Sequence, residues 1–175
     1  LKSNNSAGNL GFFTNGSENM RIDSTGAVTM PAQPAFLATG NGTNQINIGG
    51  TETCNFGTEV FDQNSDYNTS TNTFTAPVTG KYKFSGSVRV DDIDRDANYY
   101  RIEIQTSNRT YKFQLIDTGN LYSADPDYHS LPFSILADMD SGDTAKVVLI
   151  RNSGSATGDI IGSGEYTFWS GYLAC

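Results

Sequence analysis

In the stretch NTFTAPVTGKYKFSGSVRV, Asn72 to Val90, the residues Tyr82, Phe84, Gly86, Val88 and Val90 alternate strictly with Lys81, Lys83, Ser85, Ser87 and Arg89. Successive side chains of a strand point to opposite faces, so a period of two demands a strand with one apolar face and one wet face. Phe74 and Ala76 share a face just upstream, and Pro77-Val78-Thr79-Gly80 interrupts the two runs. No apolar stripe of helical period persists over several turns, and Gly, Asn, Thr and Ser punctuate the chain throughout. Short strands at regular spacing with turn residues between them predict an all-β sandwich or barrel.

A chain of 175 residues holds one good core and something smaller. Its hydrophobic content is a modest 37% but 11% is aromatic, so the expected core is thin and built from large rings. No apolar run is long enough to span a bilayer, so no membrane insertion is expected. The opening LKSNNSAGN has neither a basic start nor an apolar segment, so no export signal is read there and the chain reads as part of something longer. With 19 acidic and 11 scattered basic residues the net charge is −8, a balance that repels a phosphate backbone and excludes nucleic acid as an expected partner. Cys54 and Cys175 have no metal-like spacing, and both a disulfide between them and free thiols stay open.

Residues 1–33 differ from the rest. GNLGFFTNGSENMRIDSTGAVTM predicts tiny strands at Gly11–Thr14 and Met20–Ile22, a turn at Asp23-Ser24-Thr25-Gly26, and a return at Ala27–Met30. So little apolar surface cannot form an independent core, and the segment needs partners, most simply copies of itself. Pro31 and Pro34 mark a boundary, because each fixes φ and removes a ladder donor. Residues 34–175 then form the head, with strands expected at Ala35–Thr39, Gln45–Ile48, Phe56–Asp62, Thr73–Ala76, Gly80–Asp91, Asn98–Thr106, Arg109–Ile116, Tyr128–Ala137, Thr144–Asn152 and Glu165–Leu173. Ten strands suit a two-sheet jelly roll.

In the closing strand Tyr166, Phe168 and Tyr172 share one face and Trp169 and Leu173 the other, so neither face suits water. A strand apolar on both faces is buried on both, and a two-layer sandwich covers only one of them. Another subunit is the economical cover; local cover by a loop is the alternative.

Phe56, Asp62, Tyr67, Phe74, Gly80, Tyr82 and Phe84, at these intervals, resemble the signature of the complement C1q globular-head family, whose jelly roll is shared with tumour necrosis factor. PAFLAT (Pro34–Thr39) is similar to that family's opening strand, ADMDSGDTAKVVLI to its last hairpin with Gly142-Asp143 at the turn, and YTFWSGYL (Tyr166–Leu173) to its closing strand. Gly86 stands where the family usually has an aromatic, so a neighbour must fill the space. The resemblance implies a homotrimer, with Tyr166, Phe168 and Tyr172 at the interface and three copies of residues 1–33 bundled into a stalk. Residues 8–30 resemble shaft segments that precede the terminal domains of bacteriophage tail fibres, which implies a virion, extracellular location.

Two loops carry candidate chemistry. In DDIDRDANYYRIE, Asp92, Asp94, Asp96, Asn98 and Glu103 fall at the ligand spacing of a calcium loop, although Ala97 replaces the glycine of the sharp turn and strands flank it. Calcium is therefore a candidate cofactor through Asp92, Asp94, Asp96 and Asn98, against the plain reading of a solvated loop. In DTGNLYSADPDYHS, Tyr122, Asp125, Asp127 and Tyr128 combine aromatic faces with hydroxyl-binding carboxylates, the chemistry of a glycan site, against the plain reading of a hairpin loop. His129, the one histidine, reads as a packing residue at a strand end. With one histidine, no partnered cysteine and no phosphate loop, no enzyme is expected, although two carboxylates suffice to hydrolyse a glycoside. The reading is a non-catalytic trimeric fibre tip that binds a host-surface glycan or protein. Its alternatives are a structural trimerisation cap, a capsule-degrading hydrolase, or a secreted recognition module of the same family.

Overall fold

The computed structural model describes residues 2–4, 8–155 and 157–175. The chain opens with β1 (Lys2–Asn4), β2 (Asn9–Thr14), β3 (Ser17–Ile22) and β4 (Val28–Thr29), an antiparallel sheet whose strands pair only with one another. Asn15 and Gly16, at φ 49° and 82°, make the left-handed two-residue turn that matches the twist of a hairpin. The next turn is built by Asp23, whose Oδ1 accepts from the Thr25 and Ala27 amides at 2.8 and 3.0 Å. This small sheet leaves Phe12, Phe13, Val28 and Met30 exposed.

The head follows as β5 (Ala35–Thr39), β6 (Thr51–Thr53), β7 (Thr58–Asp62), β8 (Tyr67–Asn68), β9 (Thr73–Thr75), β10 (Gly80–Asp91), β11 (Tyr99–Thr106) and β12 (Thr110–Ile116). After a single helical turn α1 (Thr118–Leu121) come β13 (Tyr128–Met139), β14 (Thr144–Asn152), β15 (Asp159–Ile160) and β16 (Phe168–Leu173). One sheet runs β13-β10-β16-β5-β7 with β15 on β10; the other runs β12-β11-β14-β9-β8 with β6 on β14. The alternation of β10 is realised as expected: Tyr82, Phe84, Val88 and Val90 are buried between the sheets. Pro132 is tolerated within β13 because that strand lies at the sheet edge and owes no second ladder.

The core is a cluster of rings. Phe36 stacks on Tyr67 and Phe74 at centroid distances of 5.0 and 5.1 Å, and Trp169 stands edge-on to Phe36 at 5.0 Å and Tyr67 at 5.5 Å. Asp62 serves this cluster from outside by accepting the Asp66 and Tyr67 amides at 3.1 and 2.8 Å, which turns Tyr67 into it. At Gly86 the missing aromatic is replaced by Phe133, its cross-strand neighbour, whose ring lies 2.5 Å from where a Cβ would stand. Gly80 serves close approach rather than a left-handed turn, since a Cβ there would meet the Leu173 side chain at 2.6 Å and the Cys175 carbonyl at 2.7 Å.

Several expected boundaries shift. Gln45–Ile48 is not a strand: Asn47 adopts φ 55°, and the segment keeps one isolated bridge, Gln45 to Ile160. The closing strand starts at Phe168 rather than Glu165, because the Tyr166 and Thr167 amides both turn back to the Ser163 carbonyl at 3.1 and 3.0 Å. β1, β6, β8, β15 and α1 are additions, each too short to leave a periodic signal. Among the described residues Cys54 is buried, Cys175 is exposed, and both are free thiols; burial pushes the Cys54 thiol far up.

Leu173 donates to the Pro34 carbonyl at 3.0 Å and Lys81 to the Cys175 carbonyl at 2.6 Å, so the entry from the small sheet and the C-terminus meet at one end of the sandwich. At that end Asp66 lines a cleft with Asn19, Pro34 and Val78, and its Oδ2 is buried with no hydrogen-bond partner among the described residues. Desolvation, with the nearby Asp62 charge, pushes its carboxyl above the ordinary value. A raised native pKa means that the folded state is favoured below the unfolded-state value and loses that advantage as pH rises through the native one. Asp66→Asn should therefore raise the melting temperature by about 1–3 °C at neutral pH and by nothing at acid pH, followed by thermal denaturation across that range.

Candidate functional site

The opposite end of the sandwich gathers the loops. β10 runs out at Asp91, and Asp92, at φ 52°, swings the chain so that the Asp92 and Ile93 amides donate to the carbonyls of Asp127 and Pro126 at 3.0 and 3.2 Å. Arg95 fastens the neighbouring loop from the other side: its amide donates to Asp125 Oδ1 at 3.0 Å and its Nη1 to the Ser123 carbonyl at 2.7 Å. Asp117 caps α1 through the Asn120 amide and holds the Asn120 side chain at 2.8 Å, while the buried Thr118 hydroxyl donates to the Ala97 carbonyl. The two loops flagged by the sequence thus form one unit.

Two polar clefts flank the Arg95 bridge. The first, about 500 Å³, lies between Arg95, Asp96 and Asn98 on one wall and Asp117, Gly119 and Asn120 on the other. The second, about 310 Å³, is lined by Asn47, Asp92, Asp125, Pro126, Asp127 and Thr157. Amides, carboxylates and a guanidinium spaced over such walls suit a ligand rich in hydroxyl groups, which both donates and accepts.

The predicted ligand residues separate. Asp125 and Asp127 line the second cleft. Tyr122 packs partly against the core with its hydroxyl 3.2 Å from His129 Nδ1. Tyr128, 65% exposed, lies instead on the outer face of the first sheet, its ring 4.8 Å from the Arg89 guanidinium. Arg95, Asp117 and Asn120 are wall residues that the sequence reading does not single out; the cap spacing of Asp117 and Asn120 is a usable signal, whereas the role of Arg95 is set by tertiary packing.

The calcium expectation is corrected by geometry: among the described residues no group of three or more His, Cys, Asp or Glu is gathered as a cation would need. Asp92 and Asp96 face different clefts, and Asn98 Nδ2 donates to Asn152 Oδ1 at 2.8 Å. Asp94 is buried and committed to the chain itself, accepting the Asp96 amide at 2.8 Å and the Ser155 amide. Glu103, only 4% exposed, is taken by Arg101 Nε and Gln105 Nε2, each at 2.9 Å. Residues 92–98 run through a series of bends and turns between β10 and β11, with Asp92 at φ 52°, so the every-second-residue spacing of a calcium loop no longer brings these side chains together.

Of the predicted interface residues, Phe168 and Tyr172 project from the outer face of the first sheet, 36% and 52% exposed, while Trp169 on the same strand is buried in the core. Tyr166 sits in the preceding turn with its ring 4.6 Å from the Arg89 guanidinium, opposite Tyr128. Arg89 also pairs with Asp91 through Nε at 2.7 Å and Nη2 at 3.1 Å.

With the two sheets and their closing strand placed, comparison with solved structures decides the fold. The head is a C1q/TNF-type jelly roll. The chain is similar to the globular domain of zebrafish complement 1qA protein, at TM-score 0.57 and 14% identity over 82% of this chain and 98% of that one. It is similar also to Eiger TNF from S. frugiperda, at TM-score 0.56 and 11% identity over 82% and 93% of the two chains. Murine APRIL gives TM-score 0.55 and 11% identity over 81% and 98%. No family model and no curated protein sequence matches the chain.

Proposed function

We propose that the chain is the distal part of a homotrimeric bacteriophage fibre, with residues 1–33 as shaft and 34–175 as head, and that it attaches without catalysis to a host-surface ligand, a glycan first and a protein second. The observation that carries assembly is the contrast between the two outer faces of the sandwich. That of the first sheet exposes Phe61, Leu136, Phe168 and Tyr172. Its charged residues across β13, β10, β16 and β5 are Lys81, Lys83 and Arg89 against Asp91 and Asp138, nearly balanced in a chain of net charge −8. The second sheet instead turns out the bonded series Arg101, Glu103 and Gln105, with Lys112 and Lys146 across from it. Copies approaching on the first face bury rings and meet little like-charge repulsion. The single-layered shaft, with Phe12, Phe13, Val28 and Met30 exposed, calls for the same cover and gives the trimerisation-cap reading its support.

Attachment would use the two polar clefts at the end farthest from the shaft, where weak sites repeated three times gain affinity through effective concentration. A glycan array probed with the assembled protein tests it; retention without release of reducing ends supports an adhesin, and release supports a hydrolase. Tyr172→Asp should weaken self-association by about 100-fold or more while the head stays folded, read by sedimentation equilibrium beside circular dichroism. A wild-type chain that sediments as a folded monomer at micromolar concentration overturns the proposal.

A further inference from the structure

Arg89 and its two tyrosines join the assembly face to the second cleft. Asp91 and Tyr128 are cross-strand partners at the ends of β10 and β13. One residue further on, Asp92 and Asp127 line the second cleft from its two walls, and the Asp92 amide donates to the Asp127 carbonyl at 3.0 Å. Both walls therefore spring directly from the segment that Arg89 organises, with Tyr128 and Tyr166 on either side of the guanidinium and Asp91 bonded to its edge. The outward surfaces of the tyrosines remain exposed, continuous with Phe168 on the same face.

Resting on the assembly reading above, we infer that the Tyr128–Arg89–Tyr166 stack is the distal lock of the interface between copies of this chain, and that closing it fixes the mouth of the second cleft. A neighbouring copy seated on the exposed tyrosine surfaces removes water from the stack. A cation between aromatic faces is held more strongly once desolvated, and the paired Asp91 keeps the buried charge neutralised. The stem shared by Asp92 and Asp127 then stiffens, so the ligand-facing loop is presented in one geometry only after assembly. Tyr128 accordingly acts through the subunit interface, as a positioning residue for Asp125 and Asp127 rather than as a contact in the cleft.

The test is hydrogen exchange of residues 117–128 in the full chain, at concentrations above and below the assembly midpoint, with inorganic buffer and no ligand. Assembly should slow exchange of these amides about 10-fold or more, and Arg89→Ala should both abolish that difference and weaken assembly about 10-fold. Arg89→Lys, which keeps the charge and its partner Asp91 but loses the planar stack, should fall between the two and serves where the alanine variant does not fold. An Arg89→Lys or Arg89→Ala protein that assembles like wild type with the same loop protection overturns the lock. A wild type that never assembles overturns the assembly reading itself, and so the two failures are told apart.

Discussion

Gly86→Phe, which restores the aromatic found at this place in proteins of the resembled family, should prevent the head from folding, and Gly86→Ala alone should cost about 3 kcal/mol or more. The reason is steric. A Cβ at Gly86 would collide with the Phe168 carbonyl oxygen, which is backbone, and would stand 2.5 Å from the Phe133 ring. The ring could swing aside, but the carbonyl belongs to the ladder between β10 and β16 and cannot move without breaking it. Combining Gly86→Ala with Phe133→Ala should recover little of the loss, because the backbone collision persists. Urea denaturation followed by tryptophan fluorescence reads the effect directly, since Trp169 is the cross-strand neighbour of Gly86. Wild-type stability in Gly86→Ala would show that the strands of this sheet are spaced more loosely than the register implies.

Trp169→Ala should be nearly as damaging, at about 3–5 kcal/mol, because it empties the centre of the ring cluster. The indole lies close to four other rings, with centroid distances of 5.0 Å to Phe36, 5.5 Å to Tyr67, 5.7 Å to Phe84 and 5.9 Å to Phe56. Trp169→Phe separates volume from polarity. The indole Nε1 is buried with no hydrogen-bond partner among the described residues, so removing that N–H relieves an unsatisfied donor while a smaller ring leaves a cavity. The phenylalanine variant should therefore lose no more than about half of what the alanine variant loses, measured by urea denaturation with a circular dichroism readout. Equal losses would mean that the N–H is satisfied in solution, by an ordered water for example.

The candidate site was legible in part. DTGNLYSADPDYHS stands out by composition, and Asp125 and Asp127 do line a cleft. Tyr128 follows Asp127 directly, so proximity along the chain places it in the same site, yet β13 begins at Tyr128 and the strand's alternation sends its ring to the sheet's outer face. The acidic run from Asp92 to Asn98 matches a calcium pattern by spacing alone, whereas Asp94 turns inward to cap the backbone of its own loop and of Ser155. Spacing reports distance along the chain; it reports direction only when the backbone between the residues is known.

The strands long enough to show alternation, Gly80–Asp91 and Thr144–Asn152 among them, could be read from the residues alone, as could the aromatic anchors of the core. Those are local matters, since a period of two and a buried ring follow from backbone pleat and hydrophobicity wherever the strand ends up. It took the packed molecule to establish that Phe133 fills the space over Gly86, that Arg95 ties two loops into paired clefts, and that Arg89 is held between Tyr128 and Tyr166. Each of these joins residues distant along the chain, and which of them meet depends on register between strands and on loop closure, quantities that no single stretch of sequence carries.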